Sequence, residues 1–182
     1  MKKITYVLLI SCCFMFSTFA SEQALDVPIP ELKNYQVNNT KMVSSGLPTK
    51  QQLQQLQKLG LHNVVDLIPG DRTEHQSLID SIQLNYHNIA VEWENPTLEN
   101  FQEYVSVMQR FRQNEGVTLT HCRVNMRGSV FTYLYQVTQL HIPEKVARQD
   151  MLAIWQPNEI WLGFIDKVLT TYEYQNKFNR TK

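Results

Sequence analysis

Cys122 and Arg127 lie five residues apart in the segment His121-Cys122-Arg123-Val124-Asn125-Met126-Arg127-Gly128-Ser129. At that spacing a thiol and a guanidinium close one short loop. A free thiol titrates near ~8.5, so it needs nearby positive charge to be a thiolate at neutral pH. The segment offers three aids. A helical pattern opening near Arg127 presents its N-terminal amides to the loop. Arg127 adds a fixed cation whose planar fork grips two oxygens at once. His121 is expected to fix the loop through backbone hydrogen bonds. The amides of Arg123, Val124, Asn125, Met126 and Gly128, with Ser129 behind them, would cradle a tetrahedral oxyanion. The sulfur would then lie in line with the phosphorus or sulfur atom under attack.

Such a loop must be carried by regular elements. Val117 to Thr120 is an apolar, β-type run leading directly into Cys122. Val130, Phe131, Leu134, Tyr135 and Thr138 follow at helical spacing. Upstream, strands are expected at Lys41 to Ser45, Asn63 to Ile68 and Tyr86 to Val91. A helix capped by Thr49 carries Leu53, Leu56 and Leu59 on one face and is stopped by Gly60. Further helices are expected from Arg72 to Ile82 and from Pro96-Thr97, the latter with Phe101, Tyr104, Val105, Met108 and Phe111 on one side. Glu144 to Ile154 and Asn158 to Tyr174 complete the set. The alternation predicts an α/β fold: a central, mainly parallel sheet of about four to five strands flanked by helices. Ligands in such sheets sit beyond the carboxyl ends of the strands, where the Cys122 loop falls.

The chain has 182 residues, of which the first twenty have the pattern of a secretory signal peptide. Lys2 and Lys3 precede an apolar run from Ile4 to Phe16, and Thr18-Phe19-Ala20 forms a small-residue cleavage site. This predicts a periplasmic or secreted protein. Lipid attachment at Cys12 is the alternative, disfavoured by the apolar Cys13-Phe14-Met15-Phe16. Residues 21–40 are expected to form a polar arm and residues 41–182 a single domain. Cleavage would remove two lysines and no acid, leaving 15 basic against 17 acidic residues, a net charge of −2. That gives no electrostatic case for nucleic acid or for a polybasic membrane patch, and predicts no stable membrane insertion. Cys12 and Cys13 would leave as well, making Cys122 the sole thiol and excluding an internal disulfide. His62, His75, His87 and His141 show no ligand spacing, so no metal or cofactor is expected.

The segment from His121 to Ser129 resembles the signature loop of the cysteine-dependent protein tyrosine and dual-specificity phosphatases. It is more closely similar to a bacterial branch with a loop one residue shorter, which includes the phosphatase-like domain attached to β-lactamase-hydrolase-like proteins. Ser44-Ser45-Gly46-Leu47-Pro48-Thr49 resembles that branch's entry to its first helix. Val64-Val65-Asp66-Leu67-Ile68-Pro69 resembles its second strand, and Tyr86 to Pro96 the strand and loop bearing its general acid. The resemblance implies a dual-specificity-phosphatase-like fold and a two-step hydrolysis of a phosphorylated protein or small phosphoester. Cys122 would form a cysteinyl-phosphate, Arg127 would bind the phosphoryl oxygens, and water would release phosphate.

Three departures stand out in the loop itself. The larger family places its Arg six residues after the Cys, one more than here. Asn125 replaces a mid-loop glycine, although Asn tolerates a left-handed backbone. Gly128 stands between Arg127 and the hydroxyl of Ser129. The family's acid is an Asp, whereas Val91-Glu92-Trp93-Glu94-Asn95-Pro96 offers only Glu94 or Glu92. Trp93 would flank substrate or join the core, and Trp155 and Trp161 are expected in the core or on the domain surface. Asp71, Arg72 and Glu74 would either rim the pocket or cap a helix. Two other functions fit the same loop. One is a rhodanese-type sulfurtransferase using a Cys122 persulfide; the other is an inactive module that binds a phosphorylated ligand.

Overall fold

The computed structural model describes residues 29–113 and 116–180, with side chains through residue 173. The signal-peptide pattern, Cys12, Cys13 and the first part of the polar arm lie outside the described residues.

Among the described residues, five strands form one sheet in the order β1-β2-β5-β3-β4. They are β1 (Gln36–Asn39), β2 (Met42–Ser45), β3 (Leu61–Asp66), β4 (Asn85–Asn88) and β5 (Val117–His121). β1 pairs antiparallel with β2, and every other pairing is parallel. β1 departs from the expected irregular arm. Its sequence, Gln-Val-Asn-Asn, has too little apolar character to read as a strand, but an edge strand needs little. Ahead of it, Ile29 and Leu32 are buried in a core cluster.

Among the described residues, six helices flank the sheet: α1 (Lys50–Lys58), α2 (Thr73–Asp80), α3 (Leu98–Gln113), α4 (Met126–Thr138), α5 (Glu144–Ile154) and α6 (Glu159–Arg180). The boundaries follow local chemistry. Thr49 and Gln52 form a reciprocal capping box at α1, and Leu53 and Leu56 face inward. Gly60, at φ 98°, supplies the left-handed turn into β3. Thr97 and Asn100 exchange side-chain and backbone bonds at the start of α3.

The core lies on both sides of the sheet. One cluster joins Leu53, Leu56 and Ile79 of α1 and α2 to the strands. The larger one joins α3, α4, α5 and α6 through Phe101, Tyr104, Phe131, Met151 and Trp161. Nearly all of α4 is buried, which explains its weak amphipathic pattern. The Tyr104 hydroxyl meets Thr120 Oγ1 at 2.7 Å and fixes α3 against β5. The carboxyl ends of β2, β5 and β3 are thereby held rigidly side by side.

Candidate active site

β5 ends at His121, and the next four residues turn the chain into α4. Asn125 makes that turn with a left-handed backbone, φ 68°, ψ 6°. Its side chain holds the strained position. Nδ2 donates to the Asn34 carbonyl at 2.8 Å and to Ser44 Oγ at 3.0 Å. The Asn125 amide also explains Gly128: a Cβ there would lie 2.3 Å from Asn125 Oδ1. Gly46 is needed for a similar reason, since its Cβ would stand 2.9 Å from both the Arg123 carbonyl and Lys33 Cβ.

The outward carbonyls of the loop are tied down one by one. Leu47 N–H donates to Arg123 O at 3.2 Å, and Asn34 Nδ2 donates to Val124 O at 2.8 Å. Trp155 Nε1 donates to Met126 O at 3.0 Å. In a trans peptide the following N–H points the opposite way. The Val124, Asn125 and Arg127 amides therefore face away from these anchors. Among the described residues, the N–H groups of Arg123, Val124, Met126, Arg127 and Gly128 meet no hydrogen-bond acceptor. Ser129 is different. Its N–H donates to Asn125 O at 2.9 Å and its hydroxyl to Met126 O at 3.0 Å, so both groups are engaged inside α4.

Cys122 is buried, and its N–H donates to Ser45 O at 3.3 Å. Arg127 is 8% exposed. Its Nε donates to the Val91 carbonyl at 2.9 Å, and its guanidinium lies 5.3 Å from the centre of the Trp93 ring. Its two Nη groups meet no acceptor among the described residues. Arg123 and Val124 form the exposed part of the loop. The arrangement brings together a thiol, unpaired amides and a guanidinium with a free edge, which suits a tetrahedral anion.

The segment Val91–Pro96 is anchored at its middle. Trp93 packs between Trp155 and Trp161, each 5.3 Å away centre to centre, and its carbonyl accepts from Trp161 Nε1 at 3.1 Å. Trp93 thus both joins the core and stacks on Arg127. Trp155 and Trp161 hold Met126 and Trp93 respectively, a role their positions in sequence did not reveal. Glu92 and Glu94 are exposed and carry no side-chain hydrogen bond among the described residues.

Behind the loop is a polar group that sequence reasoning missed. Asp66, fully buried at the end of β3, accepts from Arg72 Nε at 2.7 Å and from the Tyr86 hydroxyl at 2.9 Å on Oδ2. Its Oδ1 accepts from Ile68 N–H at 2.9 Å and stands 3.9 Å from His121 Nδ1. His121 Nε2 faces His75 Nε2 at 3.2 Å. The His121 side chain therefore reaches toward α2, and its contact with the Cys122 backbone also ties it to the loop. The available signal was Asp66 itself: a carboxylate inside an apolar strand needs partners.

Charge follows from these contacts. Burial would raise the Asp66 carboxyl, but His121, Arg72, Ile68 N–H and Tyr86 together bring it below its ordinary range. Burial pushes His121 down to about 4 against the pull of Asp66, and it also lowers His75. Both imidazoles are neutral at pH 7. Tyr86 is pushed above its ordinary value by burial and by Asp66. Arg72 belongs to this network, while Asp71 Oδ1 accepts from the backbone N–H and hydroxyl of Thr73, the first residue of α2.

No protein-family model and no curated protein matches the chain. Solved structures do match. A DUF442 candidate phosphatase of Shewanella putrefaciens CN-32 is 26% identical with a TM-score of 0.70, covering 82% of this chain and 97% of that one. P. aeruginosa TpbA is 16% identical with a TM-score of 0.62, over 78% and 91% of the two chains. The core catalytic domain of the S. cerevisiae PP-IP phosphatase SIW14 is 13% identical with a TM-score of 0.66, over 84% and 96%. TpbA has been crystallised with pTyr and the yeast domain with citrate. The fold is that of the tyrosine and dual-specificity phosphatases, as the resemblance implied.

Proposed function

We propose that this chain hydrolyses a phosphomonoester, with Cys122 as nucleophile. The observation that carries this reading is the set of unpaired amides around Cys122, closed by the free edge of Arg127. The likeness to the Shewanella protein supports the reaction class. The pTyr and citrate complexes of the more distant relatives support an oxygen-rich anion as ligand.

In the first step the Cys122 thiolate attacks phosphorus, the phosphorus–oxygen ester bond breaks, and the leaving oxygen takes a proton. Glu94 is the donor we propose, with Glu92 the alternative. Both are exposed and carry no side-chain hydrogen bond among the described residues, so each carboxyl is free to turn toward a bound substrate. In the second step water attacks the cysteinyl-phosphate, the carboxylate takes its proton, and phosphate leaves with the thiolate restored. Arg127 and the loop amides hold the equatorial oxygens in both steps. Held between Val91 and Trp93, Arg127 links the phosphate cradle to the segment bearing both glutamates. We place the mature protein outside the cytoplasm on the strength of the N-terminal pattern. Among the described residues, no helix is long and apolar enough to cross a membrane.

A second reading, binding without turnover, is favoured by the exposed glutamates. The reduced protein and Cys122→Ser should be assayed side by side with an aryl phosphate and with thiosulfate plus cyanide. Phosphate release that vanishes in the variant supports the proposal. Thiocyanate formation supports a sulfurtransferase instead. Retained vanadate binding with neither activity supports the binding module.

A further inference from the structure

Asp66, His75 and His121 each bring one potential ligand atom to within 4.8 Å of the other two. We propose that these side chains form a binding site for a divalent transition metal of the zinc type, directly behind the Cys122 loop. No ligand spacing along the chain announces it, because its members come from β3, α2 and β5.

The spacing is close to what an ion requires. Two ligands of a tetrahedral zinc, each ~2.0–2.1 Å from the ion, stand about 3.3 Å apart. The His75 and His121 Nε2 atoms are 3.2 Å apart, and the other nitrogen of His121 is 3.9 Å from Asp66 Oδ1. A single ion takes only one nitrogen of this ring, so one of the two pairs closes up by side-chain rotation as the ion binds, from a spread of no more than 4.8 Å. Two imidazoles and a carboxylate are a common zinc donor set that leaves a fourth position open.

The ion-free arrangement is also incompletely satisfied. His121 is fully buried, and its Nδ1 has no hydrogen-bond partner. If Nδ1 carries the ring proton, Asp66 Oδ1 is too far to accept it well. If Nε2 carries it, the Nδ1 lone pair is left bare. Buried polar atoms are rarely left in that condition. Ligation of Nδ1 gives that nitrogen the partner it lacks, since Nε2 already faces His75. Asp66 keeps capacity for the ion as well: Arg72 and Tyr86 occupy Oδ2, while Oδ1 accepts only the Ile68 N–H.

There is a route in. His75 is half-buried and lines an open cavity of about 320 Å³ with Asp71, Arg72, Glu74 and Leu78. The carboxylates of Asp71 and Glu74 at its mouth attract a cation, and Arg72 opposes one. A bound ion would tie α2 to the ends of β3 and β5, one residue before Cys122.

The purified chain, stripped with EDTA, should be titrated with Zn2+ by equilibrium dialysis and with Co2+ by visible absorption. Thermal unfolding should be recorded with and without Zn2+. Wild type, Cys122→Ser and His75→Ala should be compared, with circular dichroism confirming that each variant folds. Wild type and Cys122→Ser are expected to take up one ion, show the d–d bands of low-symmetry Co2+, and unfold at a higher temperature with Zn2+. His75→Ala should bind about tenfold more weakly or worse and lose the thermal shift. Loss of uptake in Cys122→Ser overturns the proposal, since the thiol is then a ligand. Retained uptake in His75→Ala, or no uptake by wild type at millimolar Zn2+, overturns it equally.

Discussion

At the scale of single residues, the loop depends on two unusual positions. Asn125 does what a glycine does in the larger family, accepting φ 68°, and adds two hydrogen bonds that a glycine could not make. The left-handed turn was legible in the sequence, because few residues other than Gly tolerate it. The dependence of Gly128 on Asn125 was not, since it arises from a contact across the turn. Ser129 shows the opposite outcome: it is near the site in sequence, but its hydroxyl bonds inside α4. The proposed acid is tested at this scale. Glu94→Gln should lower kcat by about 10²–10⁴-fold on an alkyl phosphate, whose leaving oxygen needs the proton. The loss should be much smaller on a nitrophenyl ester. Glu92→Gln should be nearly silent. A larger loss in Glu92→Gln would exchange the two roles, and no loss in either would remove the acid from this segment.

At the scale of elements, α1 and α3 were legible because each has a clear period or cap, and β5 because it is an apolar run leading into the loop. β1 was not, being a short polar edge strand. The convergence of β3, α2 and β5 was not legible either, since it depends on which strands are neighbours. That convergence has a pH signature. Burial pushes His121 down to about 4 in the folded chain, against an ordinary value of 6.5. Between those values the unfolded state binds more protons, so stability falls as pH drops through the window. That difference corresponds to about 3 kcal/mol at most. His75, lowered in the same direction, adds to this trend. Asp66, depressed below its ordinary range, contributes stability that is lost only at still lower pH. Urea midpoints measured with EDTA should therefore decline from pH 6.5 to pH 4. In His121→Gln the decline should be shallower. An identical slope in the variant would mean that His121 is not held neutral by burial.

At the scale of the whole molecule, the sheet with a core on each face gives the site its rigidity. Residues 29–40 belong to that structure: Ile29 and Leu32 are buried, and Asn34 bonds to both Val124 and Asn125. The segment preceding β1 thus buttresses the Cys122 loop. The parallel α/β architecture could be read from alternating patterns, and the likeness to solved tyrosine and dual-specificity phosphatase folds agrees with it. What the pattern could not supply was the packing of α5 and α6, whose tryptophans hold the segment opposite the loop. The central claim is that this assembly presents Cys122 to phosphorus. The most direct measurement is to mix the reduced protein with a labelled aryl phosphate, quench it within one turnover, and locate the label by mass spectrometry. The account predicts a phosphoryl group on Cys122, absent from Cys122→Ser. Label on another residue, or phosphate released at an unchanged rate by Cys122→Ser, would contradict it.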